Sequence, residues 1–300
     1  MADARRRLAR IASAGKPATC CWCRKAYRRA SGRPLASATH FVRAHLATAR
    51  IAAFGPLADG LWAAFPVALR FVRVLILLAI WPTLIPPGEV VSGYRLEAVL
   101  TYSLVAEVFA AQLNVRTPIG AALWNGAIAT RFTWPMPLAT QYAAEMIGDW
   151  ALPMLLVSAP LLLLAPFLGV DPLPASAARL ALFLVSLLLA ITIGIAIDMA
   201  CTVLIVRIDL GPWVLNAARA VVQAICSGAW VPLALLPFHL GALFDWLPFA
   251  SAASAPLRIY TGTGDPLPLL ALQGAWVIVV ITAVRAAWNL SRERVALFGG

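Results

Sequence analysis

The sequence predicts an all-α integral membrane protein with about six transmembrane helices, an N-terminal interfacial helix and short outer-face helices before the last span. Three observations carry this prediction. Hydrophobic residues fill 62% of the 300 positions and charged residues only 12%, against roughly half and a quarter in soluble domains. So few charges cannot cover the surface of a soluble domain of this size. Six stretches reach the roughly 20 apolar residues needed to cross about 30 Å of hydrocarbon. The net charge of +11 is gathered at one end: residues 1–50 hold twelve Lys and Arg with the single acid Asp3, and the rest of the chain is neutral.

In chain order, residues 1–35 are a basic tail broken by Pro17 and Pro34. Arg10, Lys16 and Arg24 interrupt every apolar run after Arg5, Arg6 and Arg7. A signal peptide is therefore not expected, and the tail is read as retained. Residues 36–58 place Phe41, Val42, His45, Leu46 and Ile51 near one helical face, with Arg43 and Arg50 elsewhere, the pattern of a helix lying at headgroup level. Residues 59–300 form the transmembrane domain, with spans expected over about 66–85, 97–114, 150–168, 180–206, 212–236 and 267–289. Arg70 and Arg73, near the start of the first span, are expected to snorkel toward the cytosolic interface. The fourth span is long for one crossing, so tilt or an extension beyond the bilayer is expected.

Two connections are longer than turns. Residues 115–149 contain Pro118, Pro135 and Pro137, with the uncharged stretch Gly120–Thr130 between the first two, and read as a partly helical cytosolic loop. Residues 237–266 are apolar but interrupted by Pro237, Pro248 and Pro256. Proline leaves backbone groups unsatisfied in lipid, so this segment is read as short re-entrant or surface helices on the outer face. Orientation follows from the flanks, because cytosolic loops of membrane proteins carry the excess of Lys and Arg. The tail, residues 115–149 and the end with Arg292 and Arg294 fall on the basic side. Both termini are therefore expected in the cytosol, with the chain a multi-pass protein of the cytoplasmic (inner) membrane. The basic tail is read as facing anionic membrane lipid rather than nucleic acid.

Chemistry is sparse. With only two lysines, Lys16 before Pro17 and Lys25 after Arg24, the chain has no phosphate-binding loop of its own. No serine-hydrolase elbow or zinc-protease motif occurs. Cys20, Cys21 and Cys23 crowd beside Trp22 but lack a fourth ligand at metal-site spacing, so neither a metal nor a catalytic residue is expected. The charges inside the spans are the remaining candidates: Glu107 in the second, Asp198 in the fourth and Arg219 in the fifth. An ionised side chain at the bilayer centre costs about 2.5–3.5 kcal/mol on insertion scales. Asp198 and Arg219 are read as an interhelical tie. Glu107, with Tyr102 and Gln112 on the same helix, is read either as a polar lining to a substrate path or as a structural contact.

A family resemblance adds to this reading. Tyr94–Leu104 (YRLEAVLTYSL), the loop series Leu123-Trp124-Asn125-Gly126-Ala127-Ile128 with Pro135 and Gly148 after it, and the C-terminal series Ser227-Gly228, Pro232-Leu233, Pro237, Leu247-Pro248-Phe249, Ile259-Tyr260-Thr261-Gly262, Gln273 and Trp276 resemble the permease subunits of ABC-2 type exporters. The resemblance covers about residues 60–300. It implies a permease that exports a substrate when a separate ABC ATPase subunit, present in two copies, hydrolyses ATP. It also implies a second permease, the same or different. ATP and magnesium would then sit on the ATPase, with no cofactor on this chain. Residues 36–58 would be an interfacial elbow. The loop after the second span would be the coupling helix, carried by Leu123, Trp124, Asn125, Gly126, Ile128 and Arg131, and docking would rest on Leu123, Trp124 and Ile128. In the family a basic residue usually precedes the loop proline, whereas here Trp134 does and Arg131 sits earlier. The alternatives are a membrane-embedded enzyme acting on lipid, with Glu107 or Asp198 as its acid, and a non-catalytic scaffold.

Overall fold

Long apolar stretches with few internal breakers fold as helices, and helices account for nearly all the regular structure of the described residues. The computed structural model describes residues 38–291 except 56, 58, 59, 61, 63, 132 and 135. The basic tail with its three clustered cysteines, Pro135, and the terminal Arg292, Arg294, Gly299 and Gly300 lie outside the described residues. The chain divides into two units, Met1–His45 and Leu46–Gly300. In the first, the described residues are the opening turns of helix α1 (Ala38–Phe54), where His45 Nδ1 lies 2.8 Å from the Phe41 carbonyl.

The second unit holds the remaining helices. They are α2 (Ala64–Leu84), α3 (Leu96–Val108), α4 (Ala110–Leu113), α5 (Ile119–Trp124) and α6 (Ile128–Arg131), followed by α7 (Leu138–Leu168), α8 (Ala177–Ile208), α9 (Pro212–Cys226), α10 (Leu240–Phe244), α11 (Pro248–Thr261) and α12 (Pro266–Asn289). A two-residue hairpin pairs Val90 with Arg95 and Val91 with Tyr94 before α3. Among the described residues four helices, α2, α7, α8 and α12, are long and apolar enough to cross a bilayer. Their outward faces are rows of exposed side chains such as Leu69, Val72, Leu75 and Ile76 on α2, as lipid solvation allows and water does not.

The other two expected spans are helical but not regular. The second breaks at Phe109, between α3 and α4. The fifth stops at Cys226, because Ser227 and Gly228 (φ +70°) turn the chain and Pro232 precedes a short 3-10 turn. The 15 residues of α9 rise only about 22 Å, short of the hydrocarbon thickness. The third span starts twelve residues early: α7 begins at Leu138, not near 150, so the connection before it is correspondingly shorter. Within α7 the turn widens to a π-helix over Met154–Ser158, directly after Pro153, whose ring nitrogen has no proton to donate to the turn before it.

Small residues let α11 into the interior. Its run Ala250-Ser251-Ala252-Ala253-Ser254-Ala255 is buried, and it packs against both α8 and α12. It is therefore an internal helix and does not lie on the surface. Gln273 of α12, fully buried, joins all three. Its amide donates to the carbonyls of Ser251 (2.7 Å) and Ser186 (3.2 Å) and accepts from Ser186 Oγ (2.8 Å). The core beside it contains Trp81, Tyr94, Tyr102, Phe183, Leu257 and Tyr260.

Candidate functional site

Two neighbouring groups of buried polar residues organise the region where α3, α4 and α5 follow one another. The first is built on Asp198 of α8 and Arg219 of α9, both buried. They face each other because the turn after Ile208 folds α9 back, and they form a direct ion pair. Arg219 Nη2 also donates to the Val115 carbonyl at 2.7 Å. Asp198 accepts from both the backbone N–H (2.9 Å) and the hydroxyl of Thr117. The carboxylate thereby has acceptors filled from two sides, as a buried charge requires. The pair expected to tie helices together does so, and it also clamps residues 115–117, the stem of the following loop, onto α8 and α9.

Beyond that stem α5 lies along α8. A side chain at Gly120 would come within 3.1 Å of Ile205 Cδ1. Leu123 and Ile128 point inward and form a small core with Ala122, Tyr142 and Val206. Trp124 and Asn125 point outward, Trp124 with 42% of its surface exposed. At the tip Asn125 Oδ1 accepts from the Ala127 N–H (3.0 Å) and Gly126 takes φ +72°, a conformation that glycine adopts without steric cost. Arg131 closes the loop with a two-pronged pair to Glu145 of α7 (2.8 and 3.0 Å). It also lies over the rings of Trp134 and Tyr142. The bond to Glu145 is the main reason its guanidinium pKa is raised above the ordinary value. Of the three apolar residues expected to dock on a partner, Leu123 and Ile128 are thus engaged within the chain, and Trp124 is the one at the surface.

The second group surrounds Glu107. Because the helix breaks at Phe109, Glu107 stands near the end of α3 rather than midway along a span. Arg73 donates to one carboxylate oxygen at 2.6 Å, and Arg70 lies 3.4 Å from the other. Arg70 Nη2 donates to the Glu107 carbonyl at 2.7 Å, and Ser158 Oγ donates to that of Val108 at 2.6 Å, so side chains supply bonds where the helix is interrupted. The two arginines expected to snorkel are instead turned onto this carboxylate. They stand one helical turn apart on α2, so both reach the same partner. Arg73 also lies 4.8 Å from the ring centre of Trp230.

A cavity of ≈ 230 Å³ opens here, with Arg73, Glu107, Asn114, Arg116, Gln223 and Trp230 in its wall. Of the three residues read as a polar path, Glu107 lines it. Tyr102 is buried in the core, its hydroxyl donating to the Gly228 carbonyl at 2.6 Å. Gln112 is buried and lies outside the wall, and its amide oxygen has no donor among the described residues. The sequence reading missed Arg116 and Trp230. A Trp beside a chain turn, and a lone Arg at a span end, were the available signals. No group of three or more His, Cys, Asp or Glu placed to hold a metal occurs among the described residues.

Compared with known proteins, the chain matches the family model described as ABC-2 family transporter protein over residues 71–294. A comparison with curated proteins gives no match.

Proposed function

The chain belongs to the ABC-2 family of transporter proteins and is a multi-pass membrane protein with a permease role, and on that premise we propose that it is the membrane subunit of an ATP-driven exporter. A separate ABC ATPase, in two copies, hydrolyses ATP, and a second permease, the same or different, completes the path. The protein sits in the cytoplasmic membrane with both termini in the cytosol, so that residues 115–137 face the ATPase. Nucleotide and magnesium belong to that partner; this chain contributes no catalytic group.

One observation carries the reading: the loop has an outward tip and a rigid root. Trp124 and Asn125 are exposed, whereas Thr117 is held by the buried Asp198–Arg219 pair. A push on the tip therefore reaches α8 and α9 instead of dissipating in a slack connection, as mechanical coupling between packed elements requires. Arg131 and Glu145 brace the far side of the loop against α7.

Co-purification from native membranes tests this. Trp124→Asp places a charge on the docking face, and the ATPase should be lost while the amount of inserted chain is unchanged. Leu123→Asp, at a buried position, should instead reduce folded protein. Full ATPase recovery with Trp124→Asp would overturn the assignment of the loop.

A further inference from the structure

Among the described residues, the wall of the cavity beside Glu107 carries more guanidinium than carboxylate. Arg70 and Arg73 share one carboxylate. Arg116 stands in the same wall and forms no ion pair among the described residues. The nearby Asp198 is already taken by Arg219. Arg73 and the exposed Arg116 thus line the cavity with Glu107 as the one acid of its wall, and Arg70 reaches that same carboxylate from α2. Guanidinium forks match the oxygens of a phosphate in geometry and charge.

Size and surroundings narrow the ligand. At ≈ 230 Å³ the space is below the usual range for a drug-sized molecule, and it suits a headgroup. Trp230 is half exposed at the wall, and Trp is enriched at headgroup depth. The surfaces on either side are apolar and exposed: Val72 on α2, and Val221, Val222 and Ile225 on α9. Acyl chains attached to a group in the cavity have apolar tracks to follow.

We propose that this cavity binds a phosphate ester with net negative charge, supplied by the headgroup of an anionic lipid or by a free ester of the same chemistry. The site goes beyond the transport reading and does not depend on ATPase coupling, since binding belongs to the isolated chain.

The test uses purified full-length chain in nanodiscs of phosphatidylcholine with or without phosphatidylglycerol, with retained lipid read by native mass spectrometry. Phosphatidylglycerol should be retained in preference to phosphatidylcholine. Arg116→Gln, which breaks no ion pair within the described chain, should weaken that retention about tenfold. Arg116→Lys should keep the preference for the anionic lipid. Thermal melting of each variant separates lost binding from lost fold. Competition by soluble glycerol phosphate assigns the site to the free ester, and retention in its presence assigns it to the lipid. Equal retention of the two lipids, or an Arg116→Gln chain that melts normally and binds as the parent does, would overturn the proposal.

Discussion

Asp198 and Arg219 each occupy a position where an unpaired charge is untenable, with side chains only 6% and 4% exposed. Removing one partner strands the other, which costs about 3–5 kcal/mol, while replacing both with apolar residues of similar volume is often close to neutral. Arg219→Leu should therefore sharply lower the yield and melting temperature of folded protein in detergent. Asp198→Leu combined with Arg219→Leu should recover most of that loss. The double variant should still fail in transport, since Thr117 and Val115 would have nothing to grip them. Normal transport by it would show that the clamp is dispensable. A structural tie for each was legible from sequence, because a lone charge in an apolar segment seeks a partner; that they are each other's partner is set by the turn that folds α9 back on α8. The pairing of Arg70 and Arg73 with Glu107 was not. More than thirty residues separate them, and nothing local records which face of α3 meets α2. Their one-turn spacing on an apolar helix was the only hint.

At the level of helices, local chemistry explains both what could be read and what could not. Hydropathy pointed to the four helices that are long and apolar enough to cross, because lipid imposes length and apolarity on any helix that does so. The break at Phe109 escaped, because no proline or glycine marks it; tertiary bonds from Arg70 and Ser158 stabilise the interruption instead. The early end of α9 had signals in Ser227-Gly228 and Pro232, which the apolar run around them masked. The inward placement of α11 was hidden by its composition, since an Ala- and Ser-rich helix with prolines reads as peripheral until its neighbours are known. Gly148 of α7 gives a test at this scale. A Cβ there would fall 2.1 Å from the carbonyl oxygen of Ala49 on α1, a distance that backbone cannot accommodate. Gly148→Ala should push the later part of α1 away, at about 1–3 kcal/mol. Faster amide hydrogen exchange over residues 46–54 would register it, and unchanged protection there would refute the contact.

For the molecule as a whole, the membrane class was plain from composition, and the candidate site only half so. The loop could be located by its prolines. Which of its residues face outward could not, because Leu123 and Ile128 are as apolar as Trp124 and only packing distinguishes them. The cavity left no sequence signature, since its wall gathers residues from α2, α3, α4 and α9 with a few from the connections. The division of labour proposed here makes a prediction about the intact protein. Purified alone, the chain should hydrolyse no ATP above background in a phosphate-release assay, and activity should appear with the ATPase recovered from native membranes. Robust hydrolysis by the chain alone would defeat the permease assignment.

Helix α8 is gripped at two places: at Asp198 by the loop stem and at Ser186 by Gln273. Twelve residues of helix separate them, about 18 Å along the axis, with no proline in the interval to absorb a bend. On the proposed coupling, a torque applied at Thr117 would arrive at Gln273 and Ser251, through which α11 and α12 are bonded to α8.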